Sequence, residues 1–325
     1  MFRNKLNYWR RIFKVYLTKT QSYLDFWHED PKATHDINPR KLGKYYMTFV
    51  DKADYEGPRD KNGVILFEYH SNIGIQYNPV AIAQYGLGHF NRFLETGNNK
   101  NLKEAKAQAD WLVENLEKND KDLPVWKHHF EWQYKKLLPS GWYSGLSQGS
   151  GISLLVRVYK ETNEEKYLKA AKNAFISMNT DIKEGGVKFI DNQGNIWIEE
   201  YIIHPPTHIL NGFLWAIWGL WDLHLVTGEN PPKNLFERCI KTLKENLSRY
   251  DAGYWSLYDL SKQKMKMLAS PFYHKLHIAQ LEATHKLTGE NIFKRYQKRF
   301  QKYQNSWFKR KKAFIYKAIF KLIYF

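Results

Sequence analysis

Four short sequences decide the fold: Thr96-Gly97-Asn98, Thr162-Asn163-Glu164, Thr227-Gly228-Glu229 and Thr288-Gly289-Glu290. Each closes an apolar stretch with helical spacing, over 79–95, 149–161, 208–226 and 274–287. A Gly or Asn just past a helix end supplies the left-handed cap that stops it. After each comes a second, more charged helical stretch, such as 100–116 or 163–178. The threonines stand 66, 65 and 61 residues apart. A period of about 60 residues fits a helical hairpin with a long return loop. Hairpins whose first helix is the more apolar predict inner helices ringed by outer ones, a mainly α, (α/α) toroid.

Working outward from the repeat, short strands break the helical pattern. Residues 186–190 and 196–201 flank Asp191-Asn-Gln-Gly-Asn195, a hairpin signal. A second β-like stretch, 64–67, follows the turn Asp60-Lys61-Asn62-Gly63. Both lie ahead of inner helices, so the β-hairpins are expected at the mouth of a cleft, where loops carry chemistry.

Composition bounds the function classes. The 325 residues include 12 Trp, 22 Tyr, 19 Phe and one cysteine, Cys239, so an intrachain disulfide and a four-cysteine zinc site are excluded. A reducing, cytoplasmic setting, peripheral to the inner face of the cytoplasmic membrane, is the expected location. The net charge of +17 sits entirely at the ends. Residues 1–20 hold six Lys/Arg and no acid, and residues 291–325 hold eleven and no acid, while 21–290 balance at 33 of each sign. A nucleic-acid reader more often carries its basic stripe on the folded body beside a recognisable motif, so no nucleic-acid partner is expected. The organisation predicted is a basic amphipathic helix over 1–20, a toroid over 21–300 and a basic amphipathic segment over 301–325. Phe2, Leu6, Trp9, Phe13 and Leu17 mark the first end; Phe314, Ile315, Ile319, Leu322 and Ile323 mark the last. Two readings of these ends stand side by side: docking to an anionic membrane surface, or ordinary helices packed on the body. A homodimer is left open.

Seven segments, in order, then carry a family resemblance. They are Gln84-Tyr-Gly-Leu87, Gly141-Trp-Tyr-Ser144 with Gln148, Trp197-Ile-Glu-Glu-Tyr201, Ile209-Leu-Asn-Gly-Phe213, Gly219-Leu-Trp-Asp-Leu223, Tyr258-Asp-Leu260, and Tyr273-His274 with His277. Together they resemble the catalytic domain of D-glucuronyl C5-epimerases across residues 65–290, with a bacterial-type, heparosan- or glucuronan-epimerase-like character. The resemblance implies an (α/α) toroid, an acidic glucuronate-containing polysaccharide as substrate, and no cofactor.

Epimerisation at C5 removes a proton α to a carboxylate and returns one to the other ring face, so it needs acid/base groups on both sides. By motif position the resemblance assigns catalysis to Glu200, Tyr201, Tyr258 and Tyr273. Glu200 and Tyr273 are expected on opposite faces, with Tyr201 and Tyr258 holding or sharing the proton. Because successive strand residues point to opposite sides, only one of Glu199 and Glu200 is expected to face the cleft. Substrate contacts are expected from Tyr77, Gln84, Trp142, Tyr143, Gln148, Asn211, His274 and His277. Trp142 and Tyr143 would stack on sugar rings, and the two histidines would donate in the cleft.

Animal family members have arginines near the Tyr-Asp-Leu and Tyr-His motifs. Here those stretches read Ser261-Lys-Gln-Lys and Ala269-Ser-Pro-Phe272. Lys262 and Lys264, with Lys266 and Lys275, are the candidates to meet the substrate carboxylate. His204 with His208, or His274 with His277, have spacings a metal could use, but no third ligand lies in reach, and no metal is expected. Two competing functions remain: a uronate polysaccharide lyase, which begins with the same deprotonation, and a non-catalytic glycan-binding protein of a polysaccharide assembly system.

Overall fold

The repeated Thr-Gly motif works the same way four times in the computed structural model, which describes residues 26–27, 29–69 and 73–324. The inner helices are α1 (Pro79–Thr96), α3 (Gly145–Thr162), α5 (Leu210–Thr227) and α7 (Pro271–Thr288). At each C-terminus the threonine hydroxyl donates to the carbonyl four residues back, at 2.7–2.9 Å. The same oxygen accepts the amide two residues on, at 3.1–3.3 Å. Gly97, Gly228 and Gly289 take positive φ at the stop, and Asn163 does so in the remaining repeat. The chain then reverses into the outer helices α2 (Asn99–Glu114), α4 (Glu165–Asn179), α6 (Asn230–Asn246) and α8 (Asn291–Asn305).

The inner helices are buried on nearly every side, most of all α5, which reads Leu-Asn-Gly-Phe-Leu-Trp-Ala-Ile-Trp-Gly-Leu-Trp over its first twelve residues. The outer helices bury one stripe of apolar residues and expose the rest, as expected of a helix that covers a core. The inner helices are neighbours in chain order, α1 on α3, α3 on α5 and α5 on α7. Between α3 and α5 the backbones nearly touch: a Cβ on Gly149 would lie 2.4 Å from the Ala216 backbone, and one on Gly219 would lie 2.3 Å from the Gly149 carbonyl. The architecture is the (α/α) toroid the repeat predicts.

Residues 33–49 lie across the C-terminal ends of the inner helices. Tyr45 donates its amide to Asn91 of α1, whose side chain donates back to the Met47 carbonyl. Arg157 of α3 donates to the Gly43 carbonyl, and Lys286 of α7 donates to the Thr34 carbonyl. One end of the ring is thereby covered. The other end, where the inner helices begin, receives the β-hairpins: β1 (Phe67–Tyr69) with β2 (Gly74–Gln76), β3 (Glu117–Lys118) with β4 (Pro124–Val125), β5 (Trp132–Gln133) with β6 (Leu137–Leu138), and β7 (Lys188–Ile190) with β8 (Ile196–Ile198). All four pairs are antiparallel.

The expected strand at 64–67 begins later, as β1. The expected break at 300/301 falls inside α8; the helix ends at Asn305, and Ser306 precedes a further helix, α9 (Trp307–Tyr324). The expected helix over 1–20 lies outside the described residues. Among those described, no helix is long and apolar enough to cross a membrane.

Candidate active site

Where the four inner helices start, a cavity of about 200 Å³ opens between the hairpins. Every inner helix contributes to its wall near its N-terminus: Val80 beside the α1 cap Asn78, Leu146 beside the α3 cap Ser144, Asn211 and Trp215 from α5, and Phe272 with Tyr273 from α7. The loops add Tyr69, His128, Phe130, Trp132, Trp142, Glu200 and Tyr201. Apolar and aromatic walls with few polar groups are the usual make-up of a small-ligand pocket.

Glu200 owes its position to the end of β8. The strand pairs Lys188 with Ile198, after which the Glu199 amide donates to the Val187 carbonyl and the Glu199 carbonyl accepts from Gly145 at the start of α3. The two glutamates then part. Glu199 is buried and accepts from His208, from its amide at 3.1 Å and at Nδ1 at 2.5 Å. Glu200 faces the cavity, so one of the pair does, as the alternation predicts.

The Glu200 carboxylate is only 6% exposed, and its Oε2 has no hydrogen-bond partner. Burial, opposed by a hydrogen bond from Tyr201, pushes its pKa up to about 8. Gly212 makes room for it: a Cβ there would come within 2.1 Å of Glu200 Oε2.

Three tyrosines stand round this carboxylate. Tyr201 packs its ring 4.5 Å from Tyr134 and 5.6 Å from Trp142. Tyr258 and Tyr273 meet edge to face at 4.9 Å, with a hydrogen bond from Tyr258 to Tyr273. Burial first, then the Glu200 charge, holds all three phenols above their ordinary range, so they stay protonated. Asp259, next to Tyr258, is buried and accepts from Tyr134 at 2.8 Å and Lys135 at 2.6 Å. Tyr201 is thus backed by a tyrosine that is itself held by a buried ion pair.

Of the expected substrate contacts, Trp142 and Asn211 line the cavity. Trp142 is stacked on His128 at 3.6 Å, and Asn211 Oδ1 is buried without a partner. The others lie elsewhere. Gln84 is wholly buried inside α1 with neither amide atom partnered. Gln148 is a structural clamp: its Oε1 accepts from the Trp126 amide, and its Nε2 donates to Ser177 at 2.7 Å. Tyr143 donates to the Gly185 carbonyl and Tyr77 to Asp60, both away from the cavity. His274 and His277 flank the buried hydroxyl of Ser256 at 2.7 and 2.9 Å, and burial pushes the His274 imidazole down to about 3. They are neutral packing histidines tying α7 to the loop before it. Lys262, Lys264 and Lys266 are exposed on that loop, and exposed Lys275 lies 3.5 Å from Asp30. None of these lysines lines the cavity.

Sequence reasoning gave no site role to Tyr69, Asn78, His128, Phe130, Trp132, Ser144, Trp215 or Phe272, which line the cavity. The His128 Nδ1 faces the Trp142 carbonyl at 3.3 Å, so that nitrogen carries the proton. Its Nε2 is then an acceptor, buried and without a partner. Burial pushes this imidazole down to about 3, so it is neutral. The density of aromatics across 126–134 was the only trace of this wall in the sequence. Among the described residues, no group of three or more His, Cys, Asp or Glu is placed to hold a metal ion.

A family model described as the D-glucuronyl C5-epimerase C-terminus matches residues 119–302, more than half of the chain. The chain is 38% identical over 194 residues to D-glucuronyl C5-epimerase of Caenorhabditis elegans, covering 54% of this chain and 31% of that protein. It is 27% identical over 256 residues to an uncharacterized protein of Methanocaldococcus jannaschii, covering 74% of this chain and 80% of that one. Its fold is similar to the crystal structure of a D-mannose isomerase, with a TM-score of 0.52 at 12% identity over 74% of this chain and 65% of that one. This last likeness concerns fold alone. The chain thus spans less than a third of the worm epimerase, and the family match over 119–302 holds three of the four helix-stop motifs and all four candidate catalytic residues. By this match the chain belongs to the D-glucuronyl C5-epimerase C-terminal family.

Proposed function

We propose that the protein inverts C5 of D-glucuronate residues in a glycan, giving L-iduronate, by proton removal and return. The observation that carries this reading is the buried, incompletely partnered Glu200 carboxylate, which lines the cavity with the protonated Tyr201 and Tyr273. A general acid/base works best when its pKa lies near the working pH, and a carboxyl held at about 8 populates both forms near neutrality.

In this mechanism ionised Glu200 takes the C5 proton. The C–H electron pair moves into the C5–C6 bond and loads the carboxylate oxygens as an enediolate. Tyr273 then donates its phenolic proton to the other face of C5 as the pair returns. Tyr258, already hydrogen-bonded to Tyr273, resupplies that phenolate. One turnover leaves the proton on Glu200 and a deficit on Tyr258, and exchange of both with water closes the cycle with no net proton consumed.

No Lys or Arg lines the cavity among the described residues. The positive ends of four inner helices converge there instead, each worth about 0.3–1 kcal/mol to a nearby anion. That is the support this reading offers for holding the uronate carboxylate without the arginines of the animal proteins. Trp142 offers an aromatic face for a sugar ring, and His128 Nε2 an acceptor for a hydroxyl.

Incubation with glucuronate polymers, heparosan among them, in deuterated water tests the proposal. Deuterium at C5 together with iduronate is the expected result. An ultraviolet-absorbing unsaturated product would replace epimerisation with a lyase reaction, and unlabelled, unchanged polymers would remove both.

A further inference from the structure

The last helix has two faces with different fates. On one, Ala313 and Phe320 are buried and Tyr316 packs against the body. Lys317 reaches inward from the same face and donates to the Leu268 carbonyl at 2.5 Å, with burial pushing its amine down to about 8. The loop over 262–267 is held to this helix, since the Met265 amide donates to the Tyr324 hydroxyl. So α9 is fastened to the toroid along its length.

Among the described residues, its opposite face is left uncovered. Phe308, Ile315, Ile319 and Leu322 recur at helical spacing on that side and are 78%, 56%, 46% and 67% exposed. Phe314 and Ile323 widen the stripe. Exposed apolar side chains in a continuous row mark an interaction surface.

The charges beside the stripe identify the partner. Lys309, Arg310, Lys311 and Lys312 crowd its N-terminal end, and exposed Lys262, Lys264 and Lys266 lie on the loop attached to its C-terminal end. No acidic residue occurs anywhere in 291–325. A second copy meeting this face would bring these like charges together. An acidic glycan would satisfy the lysines but leave the aliphatic stripe in water. An anionic lipid surface answers both: acyl chains take the stripe, and headgroups take the cations.

We infer that α9 and the 262–266 loop form a docking face for an anionic membrane surface, with the helix lying in the plane of the interface. The face is independent of the reaction proposed above, because none of its residues lines the cavity.

Flotation of the full chain with vesicles of phosphatidylcholine alone, and with an equimolar mixture of phosphatidylcholine and phosphatidylglycerol, tests the inference. Binding only to the anionic vesicles, weakened by salt, is expected. Replacing Ile315, Ile319 and Leu322 together by Ser should lower partitioning by at least about tenfold, and so should Lys309, Arg310, Lys311 and Lys312 together changed to Gln. All seven side chains lie outside the core, so circular dichroism should be unchanged. Absence of vesicle binding by the intact chain overturns the inference. So does full binding by either variant, which would place the contact elsewhere in the chain. A dimer dissolved by the Ser variant, without vesicle binding, would make the face a contact between copies.

Discussion

Two of the buried carboxylates of the toroid are treated in opposite ways. Asp222, on α5, is saturated. It accepts from both arms of Arg157 at 2.6 and 3.1 Å, from Tyr46 at 2.7 Å and from Ser153 at 2.6 Å. Arg157 in turn donates to the Gly43 carbonyl, so the cluster pins two inner helices, α3 and α5, to the residues that cover the closed end. Glu200, at the open end, keeps one oxygen without any partner and sits against the bare Cα of Gly212. Every lone pair of Asp222 is taken up by a fixed partner, whereas the oxygen left short on Glu200 is free to accept a proton. The same residue chemistry therefore serves structure at one end of the ring and, in the proposed reaction, catalysis at the other.

Substitutions at the two ends should fail in different ways. Glu200→Gln keeps the shape of the side chain and removes the base. C5 exchange should fall by about 10²–10⁴-fold, while at about pH 5, where Glu200 is protonated, stability stays within about 1 kcal/mol of the parent. Loss of stability on the scale of a core mutation would instead class Glu200 with Asp222. Arg157→Met keeps bulk but strands the Asp222 charge, and denaturant unfolding should register a loss of about 3–5 kcal/mol. Exchange per folded molecule should be retained. If the Met variant is nearly as stable as the parent, the saturated pair is not what holds the closed end.

The helical ring was easier to read from sequence than the site. Thr-Gly at helix stops is a local signal, because the threonine and the cap act within five residues of each other. The repeat therefore exposed all four hairpins. Of the residues the family motifs carried, Glu200, Tyr201 and Tyr273 line the cavity and Tyr258 packs behind Tyr273, while Gln84, Gln148, His274 and His277 are buried away from it. A clamp such as Gln148, joining the Trp126 amide to Ser177, is as fixed in position as a substrate contact, and a motif does not separate the two. Asp222 is the same case, lying in Gly219-Leu-Trp-Asp-Leu223 yet serving packing alone. His128 stayed hidden for the opposite reason: its role comes from stacking on Trp142, fourteen residues away across a loop. The lysines at 262–266 looked like carboxylate partners because sequence shows their charge and not the direction in which their loop faces.

A further test of Glu200 lies in the pH dependence that it contributes. Glu200 titrates near 8 when folded, against 4.5 for an ordinary glutamate. Between those values the native chain holds a proton that the unfolded chain has released, so stability falls as pH rises, by at most about 1.4 kcal/mol per pH unit. The contribution is fully present below about pH 4.5 and is gone once pH passes about 8. Glu29, which burial beside Lys52 pushes up to about 7, adds a slope of the same sign. Urea unfolding of the parent and of Glu200→Gln across this range isolates the Glu200 term as the difference between the two curves. The parent should lose more stability than the variant between pH 5 and pH 8 (about 3 units, within the window the linkage relation sets). Ionisation that costs stability over this window is also what creates the base, so C5 exchange should climb where stability declines. Parallel curves for the two proteins would mean that Glu200 is already ionised well below neutrality, and the contrast with Asp222 would then lie in geometry alone.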